Sequence, residues 1–251
     1  MIRRLLLSAT GAIALGFAAS CASGGGALPQ MGPDSLLDFA LQAMEDDDLD
    51  DAVAALERFV FSFPGSPRRQ EARYQLAVVY HRRKEYISAA NEFERLAADY
   101  PTGPYADDAQ FGVCESYYEL SPEPQLDPEF TQLGIQHCEA VVQYHPDSPD
   151  VPRAIELRDE MIEKLATKKL LQARTYVRLQ GWDSAIIYFE SLLRQFPESE
   201  AVPKALYGLY QAYDKVGDTE GVDRVRQRLL QEYPDTEEAR RVINTTPRPR
   251  P

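Results

Sequence analysis

The chain has 251 residues, 27% of them charged and 44% hydrophobic, and its 27 Lys plus Arg against 40 Asp plus Glu leave a net charge of −13. That length suits two domains or one repeat array, and so acidic a surface repels phosphate backbones and argues against a nucleic-acid partner. The three His and three Cys fall in no metal-ligand spacing and no Gly-rich phosphate loop occurs, so the expectation is a binding or scaffolding protein without metal, cofactor or catalytic activity.

Met1 to Ser20 has the parts of a secretory signal: Arg3 and Arg4, an apolar run from Leu5 to Ala19, then small residues leading to Cys21. About fifteen apolar residues fall short of the roughly 20 that a membrane-spanning helix needs. Without this segment 25 basic residues face 40 acidic ones, or −15. The segment Ala18-Ala19-Ser20-Cys21 resembles a bacterial lipobox, with Ala18 where Leu is usual. Cys21 is therefore expected to be acylated and to become the first residue; an ordinary cleaved signal with Cys21 as a bystander is the alternative. Ala22 in place of Asp, by resemblance to known lipoproteins, implies lipid anchoring at the periplasmic face of the outer membrane. Residues 21–33, rich in Gly, read as a flexible tether that reaches up to roughly 40 Å.

Beyond the tether an aromatic or His residue followed by Pro recurs five times, as Phe63-Pro64, Tyr100-Pro101, His145-Pro146, Phe196-Pro197 and Tyr233-Pro234. The prolines are 37, 45, 51 and 37 residues apart. Twelve residues before each stands Ala52, Ala89, Gly134, Ala185 or Val222, and eight before stands Leu56, Phe93, Cys138, Phe189 or Arg226. A small and then a bulky residue at fixed distances from a helix-stopping Pro resembles the second helix of a tetratricopeptide repeat (TPR). First helices align through Ala72, Tyr74, Leu76 and Tyr80, matched by Ala109, Phe111, Val113 and Tyr117 and by Ala205, Tyr207, Leu209 and Tyr213. Ser66-Pro67 and Ser148-Pro149 place a hydroxyl before a Pro at an expected helix start.

The expected fold is all-α, an elongated superhelix of about five TPR-like hairpins, with units one to three in 34–148, units four and five in 149–240, and a disordered Pro-rich tail over 241–251. Ser121 to Pro128 holds three prolines and reads as an insertion within the third unit. Unbroken periodicity from about Pro152 to Gln180 predicts one helix of roughly 40 Å joining two halves of the array. Val222 and Arg226 depart from the repeat pattern, as suits a terminal cap.

The lipobox, the tether, the five TPR-like units, the insertion after Tyr117-Tyr118-Glu119-Leu120 and the long helix before Gly181-Trp182 together resemble the BamD family of the outer-membrane β-barrel assembly machinery. The resemblance implies a non-catalytic protein beneath the outer membrane. It would bind the barrel-forming BamA subunit and other assembly lipoproteins, and recognise the carboxy-terminal strand of unfolded outer-membrane proteins. A periplasmic TPR coordinator of cell division is the rival reading; such proteins carry a coiled coil before the repeats, and no sustained heptad occurs here.

First helices of TPR hairpins line a concave face suited to peptides. The turn-spaced candidates there are Leu37, Leu41 and Met44, then Tyr74, Val78 and His81, then Phe111, Glu115 and Tyr118. The family's matching segment adds Tyr100, Pro104 and Tyr105. For each aromatic, packing within the core is the competing role. For the membrane partner, family resemblance points to the second half and to Arg178, one place off simple alignment, while Trp182 occupies an aromatic packing position. Cys114 and Cys138 fall by register on facing helices of the third hairpin, either as a disulfide, which an oxidising periplasm permits, or as two buried thiols. The dense acids from Glu45 to Asp51 lack the spacing of a calcium loop and read as a solvated turn.

Overall fold

A computed structural model describes residues 30–244, so the signal segment, Cys21, most of the tether and the last seven residues lie outside it. Eleven helices and no strand occur among the described residues. Five hairpins follow one another: α1 (Pro33–Glu45) with α2 (Leu49–Ser62), α3 (Arg69–Arg82) with α4 (Tyr86–Asp99), α5 (Ala106–Leu120) with α6 (Glu129–Tyr144), α7 (Val151–Arg178) with α8 (Trp182–Gln195), and α9 (Val202–Val216) with α10 (Thr219–Glu232). A short α11 (Glu237–Asn244) closes the array.

The proline motif makes the same turn every time. A residue before Pro is pushed out of the helical region, and Phe63, Tyr100, His145, Phe196 and Tyr233 all adopt φ between −123° and −137° with ψ between 47° and 63°. The residue two places after the Pro then donates its N–H to that residue's carbonyl, at 3.0–3.2 Å in all five turns. Ser66 and Ser148 do not cap helices directly, contrary to expectation. Their hydroxyls accept the N–H of Arg68 and Asp150 within the turn, and the helices begin at Arg69 and Val151, because the proline turn must finish first.

Within hairpins a second device recurs. Asp47, Lys84, Gln180 and Gly217 have φ of 62°, 61°, 59° and 80°. Each is followed by a residue whose N–H reaches back across the turn, to the carbonyls of Ala43, Tyr80, Tyr176 and Tyr213 respectively. This left-handed cap satisfies carbonyls that a helix end leaves open. The acidic turn of unit one is solvated, as expected, and is also fastened to α3: Arg82 Nη2 meets Asp47 at 2.7 Å and Arg83 Nη1 meets Asp50 at 2.8 Å, with both carboxylates largely exposed.

Each helix packs on the next, and each odd helix also touches the following odd one; no even helix touches the following even one among the described residues. The odd helices therefore occupy the inner side of a curved stack. Packing between units follows a size rule. Phe93 lies against Gly112 and Phe189 against Gly208, both nineteen residues on, and a Cβ at either glycine would stand 2.6 Å or less from ring carbon. Where the even helix carries the smaller Cys138, the residue nineteen on is Leu157, fully buried.

The long helix has the expected extent to within two residues. Its first half buries Ala154, Leu157 and Met161 with the third unit, and its second half buries Ala166, Leu170 and Ala173 with the fourth and fifth. Between them Lys164 donates to the Ser121 carbonyl at 3.1 Å and Lys168 to the Leu126 carbonyl at 2.5 Å, holding the proline insertion. Cys114 and Cys138 are joined by a disulfide between α5 and α6, with Cα atoms 4.8 Å apart.

Two expectations about the carboxy-terminal end are corrected. In α10 the buried positions are Gly221, Val225 and Leu229; the first two fall one residue before Val222 and Arg226, while Leu229 keeps the place five residues before the proline that Phe59, Leu96, Val141 and Leu192 hold. The tail does not begin at 241. Residues 241–244 continue α11, whose Ala239 and Val242 are fully buried, and whose Ala239 N–H donates to the Thr236 hydroxyl oxygen. The terminal cap is thus α11.

Candidate functional site: a groove between α3 and α5

On the inner side of units two and three lies an open groove of about 370 Å³. Helix α3 contributes Tyr74, Val78 and His81, one face at turn spacing, and α5 contributes Phe111 and Glu115 on its facing side. The apolar floor is continued by Phe93, which reaches through from α4 because Gly112 offers no side chain to block it. These are the first-helix positions expected to face a ligand, brought together by the odd-to-odd packing of the stack.

Other expected residues fall elsewhere. Leu37 is fully buried within the first hairpin and out of reach of any ligand, since α1 turns the face carrying Leu36, Leu37 and Ala40 toward its neighbours. Leu41 is half-buried on α1 and does not line the groove. Tyr118 sits one helical position away: its hydroxyl donates to Glu160 Oε2 at 2.5 Å and Lys164 lies 5.3 Å from its ring, so it bridges α5 to α7. Tyr105 stacks on Tyr74 with centroids 4.8 Å apart, and Tyr100 packs on the same cluster, which makes both supports for the groove wall; Pro104 is exposed in the intervening turn.

The electrostatics were not legible in advance. Asp108 and Asp150 also line the groove. Asp108 lies one turn before Phe111 on α5, and Asp150 arrives from the turn that precedes α7. Burial, with Asp107 and Asp150 nearby, pushes the Asp108 carboxyl above its usual range. The Tyr74 phenol is likewise raised, first by burial and then by Asp108 and Asp150. On the cationic side, Arg82 is spent on the Met44 carbonyl at 2.9 Å and on Asp47. His81 stands with Nε2 3.7 Å from Glu115 Oε2, and that nitrogen is buried without a hydrogen-bond partner. Among the described residues no group of His, Cys, Asp and Glu has the arrangement of a metal site. An aromatic floor beside the carboxylates of Asp108 and Asp150 can hold a side chain or an extended peptide.

At the other end of the long helix, Arg178 is exposed and its Nη2 donates only to Thr175 Oγ1 at 3.1 Å. Leu179 beside it is 71% exposed, and Trp182 is half-buried at the start of α8.

This chain is similar to several known proteins. The outer membrane protein assembly factor BamD of Vibrio cholerae is 23% identical over 235 residues, covering 90% of this chain and 97% of its own. The Haemophilus influenzae protein of the same name is 20% identical, covering 86% and 85%. Among solved structures, a TPR protein of Bacteroides fragilis superposes with a TM-score of 0.45 at 12% identity, covering 84% of this chain and 96% of that one. No described helix is long and apolar enough to cross a membrane. The sequence model of the YfiO family, described as outer membrane lipoprotein, matches residues 29–229, and the chain belongs to that family.

Proposed function

We propose that this protein is an assembly factor for outer-membrane β-barrel proteins, held by a lipid on Cys21 at the periplasmic face. It takes unfolded barrel polypeptides in the α3–α5 groove and binds the barrel-forming subunit of the machinery through units four and five, around Arg178 and Leu179. The observation that carries this reading is the convergence of Tyr74, Val78 and Phe111 on one open groove of peptide dimensions. Family membership and the names borne by its relatives support the same assignment. The role needs no chemistry: the groove supplies contact area, and the stack supplies a rigid frame between membrane and client.

The test has two arms. A photo-reactive residue in place of Val78 is expected to trap an unfolded barrel protein, with yield cut severalfold by Phe111→Ala. Mild-detergent capture of the lipidated protein from its own membranes is expected to recover a BamA-like barrel, and Arg178→Glu is expected to weaken that recovery. Recovery of division or peptidoglycan proteins in its place would overturn the assignment.

A further inference from the structure

We infer that the α3–α5 groove selects client segments in which a Lys or Arg lies beside an aromatic residue within the chain, and disfavours a terminal carboxylate. This rests on the proposed function and names the class of segment it would take. The groove joins an apolar floor of Tyr74, Val78 and Phe111 to the carboxylates of Asp108, Glu115 and Asp150. Its own cations answer only part of this charge: Arg82 in the lining is bonded to the Met44 carbonyl and Asp47, and His81 stands beside Glu115, whereas Asp108 and Asp150 form no ion pair among the described residues.

Acids in the first turn of α5 and at the start of α7 gain something from the helix dipoles. That gain does not settle Asp108, whose carboxyl remains raised through burial and through Asp107 and Asp150. A folded protein tolerates such a group where an arriving ligand supplies the missing charge. An ammonium or guanidinium between Asp108 and Asp150 would do so while an aromatic ring covers Phe111 and Val78. A chain-terminal carboxylate in the same place would add a further negative charge to the cluster and be repelled.

The experiment measures fluorescence anisotropy of short labelled peptides against the mature, lipidated protein in detergent. One amidated peptide carries Phe and Lys two positions apart, so that both face the groove from an extended strand. A second has Glu for that Lys, a third has Ala for the Phe, and a fourth lacks the Lys and ends in a free carboxylate after the Phe. The first is expected to bind about tenfold tighter than the second, a difference of about 1.4 kcal/mol. The contrast is expected to shrink at high salt and to collapse in Asp108→Asn with Asp150→Asn, a variant whose fold is checked by circular dichroism. Equal binding of the Lys and Glu peptides, or tightest binding of the free carboxylate, overturns the inference. Unfolded barrel protein is added as competitor. If it displaces peptides that show no charge preference, only the inference fails; if it displaces none and no peptide binds, the proposed function fails with it.

Discussion

Three tyrosines on odd helices reach back to glutamates on the preceding even helix. Tyr80 donates to Glu57 at 2.5 Å, Tyr117 to Glu94 at 3.1 Å and Tyr213 to Glu190 at 2.7 Å, each pair 23 residues apart. The fourth equivalent, Glu139, has Ile162 at that distance, so the ladder stops where the long helix begins. Burial, then the nearby carboxylate, raises these phenols, Tyr117 to about 12. A phenol raised above its unfolded value of about 10 stabilises the fold fully below that pH and loses its contribution as pH climbs toward the folded value. Urea unfolding is therefore expected to show a fall in stability between pH 10 and about 12 that Tyr117→Phe makes shallower; an unchanged slope would contradict it. Glycine at 208 is subject to a second residue-scale demand. Gly208→Ala is expected to cost about 1–3 kcal/mol through overpacking on Phe189, and combining it with Phe189→Leu should cost less than the two separate losses summed.

Between residue and element stand the left-handed turns. A non-glycine residue there carries strain of roughly 1–2 kcal/mol, partly offset by the greater freedom glycine has when unfolded. Lys84 is exposed at φ 61° and its side chain forms no hydrogen bond or ion pair among the described residues, so Lys84→Gly is expected to raise stability by up to about 1 kcal/mol and Tm by about 2 °C; a lower Tm would show that the turn is unstrained. Proline punctuation made the hairpins legible in the sequence, because one pre-proline conformation repeats in every unit. The one-residue displacement of Gly221 and Val225 was not, since counting back from Pro234 assumes one register throughout α10. Leu37 misled for a related reason: Leu36 and Leu37 are adjacent, both are buried, and a spacing rule alone does not say which stripe of α1 faces outward. Asp150 had no local signal at all, because only the folding of one turn against α5 brings it to the groove.

At the scale of the whole molecule, α7 belongs to two cores at once. Repeat arrays are coupled mainly through nearest neighbours, and one continuous helix is stiffer than any turn. The described body is expected to unfold in a single transition by both circular dichroism and tyrosine fluorescence. Thr167→Pro, placed near the middle of α7 between the buried Ala166 and Leu170, should cost about 3 kcal/mol or more and split the transition in two. Coincident transitions in that variant would mean that α8 and α9, rather than α7, carry the coupling.

The Cys114–Cys138 bond encloses the proline insertion, so a cut in that exposed loop severs the backbone without freeing either half. A protease acting between Glu123 and Leu126 would leave a protein that migrates as one band until reductant is added and as two bands afterwards. Closing a loop of this length is worth about 3 kcal/mol, and after the nick the same bond becomes the covalent suture between the part that carries Tyr74, Val78 and Phe111 and the part that carries Arg178.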